Sequence, residues 1–191
     1  MGKEAEKRGL LNLKSSVDAY KCFNLEKNVK LFTDHGVMSK IEIDSREDIL
    51  FENYSKIINI EALTMIEMAS RDILPAVNAY VAELADSVSA KISVIPSLSC
   101  SMDKDLITKL SALIDSAYVT LNKLCEVERK AAKMTDNVKK AEAYRETVIP
   151  VMEALRADVD AMEALTASDF WPLPTYGDMM FMHTIHLELR A

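Results

Sequence analysis

From Ser45 to Ser89 the chain keeps one amphipathic register, interrupted only by Pro75, and this stretch constrains the fold more than any other. Leu50, Tyr54, Ile57, Ile58, Ala62, Met65, Ala69, Ile73, Val77, Tyr80, Leu84 and Val88 recur three or four apart, the spacing that keeps side chains on one face of a helix. Ser45 followed by Asp48 is an acidic variant of a capping box and predicts the helix start. Pro75 removes the amide hydrogen owed to the carbonyl of Arg71 and crowds that carbonyl, so the helix is expected to kink there.

Two further helices follow. After a loop over Val94 to Ser101, Asp103 is expected to cap a helix carrying Leu106, Leu110, Leu113, Ile114, Ala117, Leu121 and Leu124 to about Lys133. A turn at Met134 and Thr135 leads to a third helix capped by Thr135 or Asp136, with Val138, Ala141, Val148, Met152, Leu155, Val159, Met162 and Leu165 inward and a second kink at Pro150. Pro75 and Pro150 lie a similar distance from their helix ends, about 23 Å at the helical rise, so in an up-down-up arrangement the two kinks are expected at one level. The segments around them, Arg71 to Val77 and Arg145 to Met152, echo each other with one residue of offset, a weak internal repeat.

Upstream, a turn from Ser15 or Ser16, a helix from Leu25 to His35 stopped by Gly36, and a further turn from Ser39 with Glu42 lead into the long helix. The first dozen residues have no periodicity and read as a frayed end. The tail from Ser168 changes character: Trp171, Pro172, Pro174 and Gly177 argue against a helix, and the aromatic-proline run is expected to be extended and packed on the bundle, with Trp171 and Tyr176 as anchors. Beyond Asp178 a period-two alternation predicts a strand-like end. The expected fold is therefore all-α: an up-down-up long-helix bundle with proline kinks, short N-terminal helices and an extended C-terminal tail. Four glycines and five prolines in 191 residues agree with long helices rather than many turns.

Chemistry is harder to find. His183, His186 and Glu188 have a metal-like composition, but in an extended segment positions three apart face opposite ways, and no Glu-x-x-His motif of a di-iron bundle exists. Glu61, Glu67, Asp72, Glu153, Asp158 and Asp160 read as solvated helix faces. No glycine-rich phosphate loop or nucleophile elbow is present. Arg129, Lys130, Lys133, Lys139 and Lys140 form one basic cluster at a helix turn, without the interleaved aromatics of a nucleic-acid surface, and the formal charge is −7. Met65 and Met68 read as core. No apolar run is long enough to span a membrane, no secretory signal is visible, and Cys22, Cys100 and Cys125 suit reduced thiols, so a cytoplasmic location is expected and neither nucleic acid nor membrane is expected as a partner.

The stretches EAEKRGLLNLKSSVDAY at 4–20, LFTDHGVMSKIEIDSREDILFENYSKIINIEALTMIEMASRDILPAVNAY at 31–80, AYRETVIPVMEALR at 143–156 and WPLPTYGDMMF at 171–181 resemble the C-terminal end of type III glutamine synthetases. Together they touch about half of the chain; HTIHLELRA, the ending after Met182, departs from the family pattern. The resemblance implies ATP-dependent joining of ammonia to glutamate through a γ-glutamyl phosphate, with Mg or Mn, in a large homo-oligomer. The metal, ammonia, glutamate and nucleotide contacts of such enzymes lie mainly upstream, so no catalytic, cofactor or metal residue is carried over to this chain. By the same resemblance residues 1–43 look like the end of the catalytic region, residues 44–169 like a helical extension and residues 170–191 like a tail packing back on it.

Helix two covers only part of helix one, which leaves the N-terminal half of helix one to find other cover. Two readings follow. The chain is a structural and assembly region whose partner is the upstream catalytic region or a neighbouring subunit, or it is a stand-alone interaction module docking another protein through Phe51, Tyr54 and Ile58.

Overall fold

A computed structural model describes residues 4, 7–174 and 176–180, the side chain of Tyr176 excepted. The described chain is all-α, with no strand. Its helices are α1 (Ser16–Phe23), α2 (Glu26–Asp34), α3 (Lys40–Met68), α4 (Leu74–Val94), α5 (Ser101–Ala132), α6 (Asn137–Ala143), α7 (Ile149–Glu163) and α8 (Tyr176–Met180). Two π-helical turns, Ala69–Ile73 and Tyr144–Val148, link α3 to α4 and α6 to α7. The chain divides into two compact units, residues 1–64 with 123–152 and residues 65–122 with 153–191.

Local capping sets most boundaries. Ser15 caps α1 by accepting the amide of Asp18. At the end of α2, Gly36 takes φ +62 while its amide bonds the carbonyl of Thr33 and that of Val37 bonds Phe32, the paired pattern of a Schellman motif. The long helix begins at Lys40, earlier than Ser45. Ser39 and Glu42 form the reciprocal box there: the Ser39 amide donates to Glu42 Oε2 at 2.7 Å and the Glu42 amide to Ser39 Oγ at 3.3 Å. Ile43, fully buried, gives the extra turn a reason to form. Asp136 caps α6 through the Lys139 amide at 3.0 Å. Asp103 does not cap α5; it lies in the first turn, buried, and accepts from Lys91 Nζ at 2.7 Å.

The prolines are accommodated by a change of helical winding. Pro75 and Pro150 are each the second residue of the helix after a π-turn. The Leu74 amide reaches back five residues to Ala69, and that of Ile149 to Tyr144. Widening the turn by one residue relieves the clash between a proline ring and the carbonyl four residues back. Aligned on the prolines the two sites match without offset: Ala69 and Tyr144 are buried at the start of each turn, Ile73 and Val148 at the end. Pro75 lies in the second unit and Pro150 in the first.

The first unit buries Val17, Ile43, Phe51, Ala62, Leu124, Ala131, Ala141, Tyr144, Val148 and Val151. Its corner is polar: Asn24 at the end of α1 donates to Asp44 at 2.7 Å and to Glu47 at 2.8 Å, and accepts from Lys40 at 2.7 Å, so α1 is tied to the first turns of α3. The second unit buries Ala69, Ile73, Val77, Leu84, Cys100, Leu110, Ala117, Leu121, Leu155 and Met162. Ser116 donates to Asp158 at 3.0 Å within it.

The tail differs from expectation. Residues 171–174 are irregular, but Tyr176–Met180 form a helical turn that includes Gly177. Five residues are too few for one glycine to decide the matter, since its penalty is only about 1 kcal/mol. Met179, placed by alternation in an extended end, is helical; the remaining positions of that pattern, with His183, His186 and Glu188, lie outside the described residues.

Candidate functional site

The N-terminal half of α3 is the best defined candidate surface, and its inner side is covered by the chain itself. Val17 of α1, Phe51 of α3 and Ala141 of α6 form one fully buried cluster, with Tyr20, Tyr54 and Val138 packed against it. Tyr20 meets Phe51 edge to face at a centroid distance of 5.6 Å and 86°, and Tyr54 at 6.5 Å and 82°. Burial raises the Tyr54 hydroxyl above its ordinary pKa.

Charge locks α1 in this position. Arg145, in the second π-turn, donates to Asp18 Oδ1 at 2.5 Å and to Ser15 Oγ at 3.0 Å, while Lys21 pairs with Glu142. Hydrogen bonds from Ser15 and then Arg145 hold the Asp18 carboxyl below its usual range, and the same contact with Asp18 raises Arg145.

Phe51 is thus not available for docking. Its ring is fully buried, and Tyr54 and Ile58 are half-buried. The exposed apolar surface of α3 is carried instead by Ile41, Ile49, Ile57, Ile60 and Leu63, with Ile57 exposed at 55% and Ile60 at 63%. Ile49, Ile57 and Ile60 fall opposite Phe51, Ser55 and Ala62 on a 3.6-residue repeat, Leu63 lies on the flank, and Ile41, in the first turn, lies nearer the buried side. Ile57, expected inward, therefore points outward. The helix is apolar on two sides, so the period alone could not say which side the chain covers.

In the second unit Trp171 is half-buried, and its indole N–H is shielded from water without an acceptor among the described residues. Phe170 anchors the tail, packing on Tyr80 at 5.2 Å. Its neighbour in sequence is more conspicuous, and nothing local marks Phe170 as the residue in contact. The side chain of Tyr176, the other expected anchor, lies outside the described residues. Met65 and Met68 are half-buried.

Among the described residues no group of three His, Cys, Asp or Glu is placed to hold a metal ion. Among the carboxylates expected on solvated faces, Glu67 pairs with Arg71 at 3.0 Å, Asp160 with Arg156 at 3.5 Å, and Asp158 accepts from Ser116. In the basic cluster, Lys130 pairs with Glu126 at 2.5 Å and Lys140 donates to the Ala132 carbonyl at 3.1 Å. Cys22, Cys100 and Cys125 are free thiols. No described helix is long and apolar enough to cross a membrane.

Comparison with known proteins places these features in a wider frame. Residues 2–92 match the family described as the glutamine synthetase C-terminal domain. The chain is similar to a glutamine synthetase of Butyrivibrio fibrisolvens, 38% identical over 178 residues, and to a type-3 glutamine synthetase of Dictyostelium discoideum, 33% identical over 182 residues. A glutamine synthetase of Bacteroides fragilis is 26% identical over 183 residues. Each alignment covers 93% of this chain and 25% of the relative, so the chain spans about a quarter of the length of the relatives it matches. These matches support a glutamine synthetase C-terminal region.

Proposed function

We propose that this chain is the C-terminal helical region of a type III glutamine synthetase and serves structure and subunit assembly, while catalysis belongs to the upstream part of the polypeptide. The observation that carries the reading is the alignment of nearly the whole chain with a quarter of each of three glutamine synthetases, one of them named type-3. The outer face of α3 supports the assembly role. Ile49, Ile57, Ile60 and Leu63 are exposed aliphatics on one helix side, inside the segment that matches the C-terminal domain, and covering them by another domain or subunit is favourable. On this reading the whole enzyme joins ammonia to glutamate with ATP and a divalent cation, in the cytoplasm, as a homo-oligomer. No step of that ligation is assigned to side chains of this chain.

The test begins with the size of the native polypeptide, by immunoblot of source cells with an antibody against residues 103–165. A band several times heavier than 21.4 kDa is expected. The full-length protein should then form glutamine from glutamate, ammonia and ATP, and Ile49→Lys with Ile60→Lys should lower its native mass in solution. A band at the mass of this chain would overturn the ligase reading in favour of a free-standing interaction module presenting the same α3 face.

A further inference from the structure

The basic cluster between α5 and α6 borders a polar pocket of about 200 Å3 within the first unit. Its walls are Lys56 and Asn59 of α3, Thr135 of the turn, Asn137 and Lys140 of α6, and Tyr144. The hydrogen bonding of these groups is lopsided. Tyr144 donates its hydroxyl proton to Asn59 Oδ1 at 3.0 Å. That contact fixes the amide, and the two N–H groups on Asn59 Nδ2 are left with no acceptor among the described residues. Lys140 Nζ donates to the Ala132 carbonyl at 3.1 Å, has no carboxylate partner among the described residues, and keeps further protons to give. The one carboxylate in the lining, Glu52, is engaged by Lys56 at 2.6 Å. Arg129, on the last turn of α5, and Lys133, just after it, have no ion pair among the described residues, in a chain whose overall charge is −7.

Donors that converge in a concave site whose one carboxylate is already paired favour an anion, and charged donors make the strongest hydrogen bonds to one. The geometry narrows its class. Lys56 and Asn59 reach in from α3 while Lys140, Thr135 and Asn137 lie on the other wall, an arrangement suited to oxygens presented in several directions rather than to the two coplanar oxygens of a carboxylate. The ammonium of Lys140, with that of Lys56 shared with Glu52, offsets part of the charge of about −1.5 to −2 on a phosphoryl group at neutral pH. The volume lies below the roughly 300 Å3 at which pockets for larger organic ligands begin. We propose that this pocket binds a phosphoryl dianion, with Lys140 Nζ and Asn59 Nδ2 as direct donors and Lys56 as the second charge.

Titration calorimetry of the whole chain at pH 7.5, with ionic strength held constant by sodium chloride, tests the site using inorganic phosphate. Saturable binding at one site is expected, weakened about tenfold by Lys140→Gln and by Asn59→Ala and unchanged by Lys109→Gln, a solvated α5 residue paired with Asp105. Retention of the wild-type circular dichroism spectrum and melting midpoint by Lys140→Gln separates lost binding from lost folding. Glycerol 3-phosphate binding more tightly than inorganic phosphate identifies a phosphomonoester as the ligand, and the reverse order identifies the free ion. No saturable binding at ~20 mM phosphate, an affinity unaffected by Lys140→Gln, or equal competition by acetate would each overturn the proposal.

Discussion

Truncating Phe51 to alanine separates a core residue from a docking residue. The ring is fully buried, packs beside Val17 and Ala141, and meets Tyr20 edge to face at 5.6 Å. Removing it opens a cavity between three helices that α1, tied by Arg145 and Lys21, cannot close without breaking those contacts. Buried Phe to Ala substitutions cost about 3–5 kcal/mol, and about 1 kcal/mol of that belongs to the lost aromatic pair. For a chain of 191 residues, at about 2–4 °C per kcal/mol, the melting midpoint should fall by roughly 6–20 °C. Ile57, about a third of a helix turn short of two full turns away and outward-facing, supplies the control: Ile57→Ala should change stability by less than about 0.5 kcal/mol. Thermal and urea unfolding followed by far-ultraviolet circular dichroism reads both. A drop below about 3 °C for Phe51→Ala, or an equal drop for Ile57→Ala, would refute the assignment of the inner and outer faces of α3.

The remaining predictions concern charge and backbone. Asp18 is held below its ordinary pKa of 3.8, so its contribution is present above that value and is lost as pH falls through the lower folded-state value. Asp18→Asn should therefore lower the urea midpoint at pH 7 and flatten its decline on acidification; an unchanged pH profile would exclude the Arg145 contact as an acid-sensitive tie. Burial pushes the Tyr144 hydroxyl up to about 12 from an ordinary 10, so the stability it lends is complete below pH 10 and disappears between 10 and about 12. Tyr144→Phe should lower the urea midpoint at pH 8 by the loss of one hydrogen bond, about 1 kcal/mol, and weaken the alkaline decline. At Gly36, φ is +62 and an added Cβ would meet nothing within 4 Å, so Gly36→Ala should cost only the left-handed backbone penalty of about 1–2 kcal/mol, with Gly36→Asn recovering part of it in the same unfolding assay.

Features set by neighbours in the chain were legible in the sequence. The all-α class followed from repeated three- and four-residue spacing, the stop at Gly36 from a residue that takes a left-handed backbone freely, and the start at Asp136 from a side chain that accepts a backbone amide three residues on. The π-turns show where that locality ends. A proline announces that regular α-helical bonding fails around Arg71 or Arg145, but whether the chain kinks or adds a residue to the turn depends on what the displaced residues can bury, here Ala69 and Ile73 in one case and Tyr144 and Val148 in the other.

Choices among equivalent local options were left to tertiary structure. Ser39 with Glu42 and Ser45 with Asp48 are both serviceable caps, and the earlier one is used because Ile43 is buried and Asn24 reaches Asp44 and Glu47. Helix α3 is apolar on two sides, and Phe51 rather than Ile57 is covered because Arg145, 127 residues from Asp18, holds α1 over that side. The donors around Asn59 and Lys140 are likewise assembled from segments far apart in the chain. By itself the sequence determined where helices form and which residues can end them, since those are interactions of a few residues' reach. Only the tertiary structure decided which face became core and which polar groups were left to converge, since burial and charge pairing act between segments whose meeting no local pattern encodes.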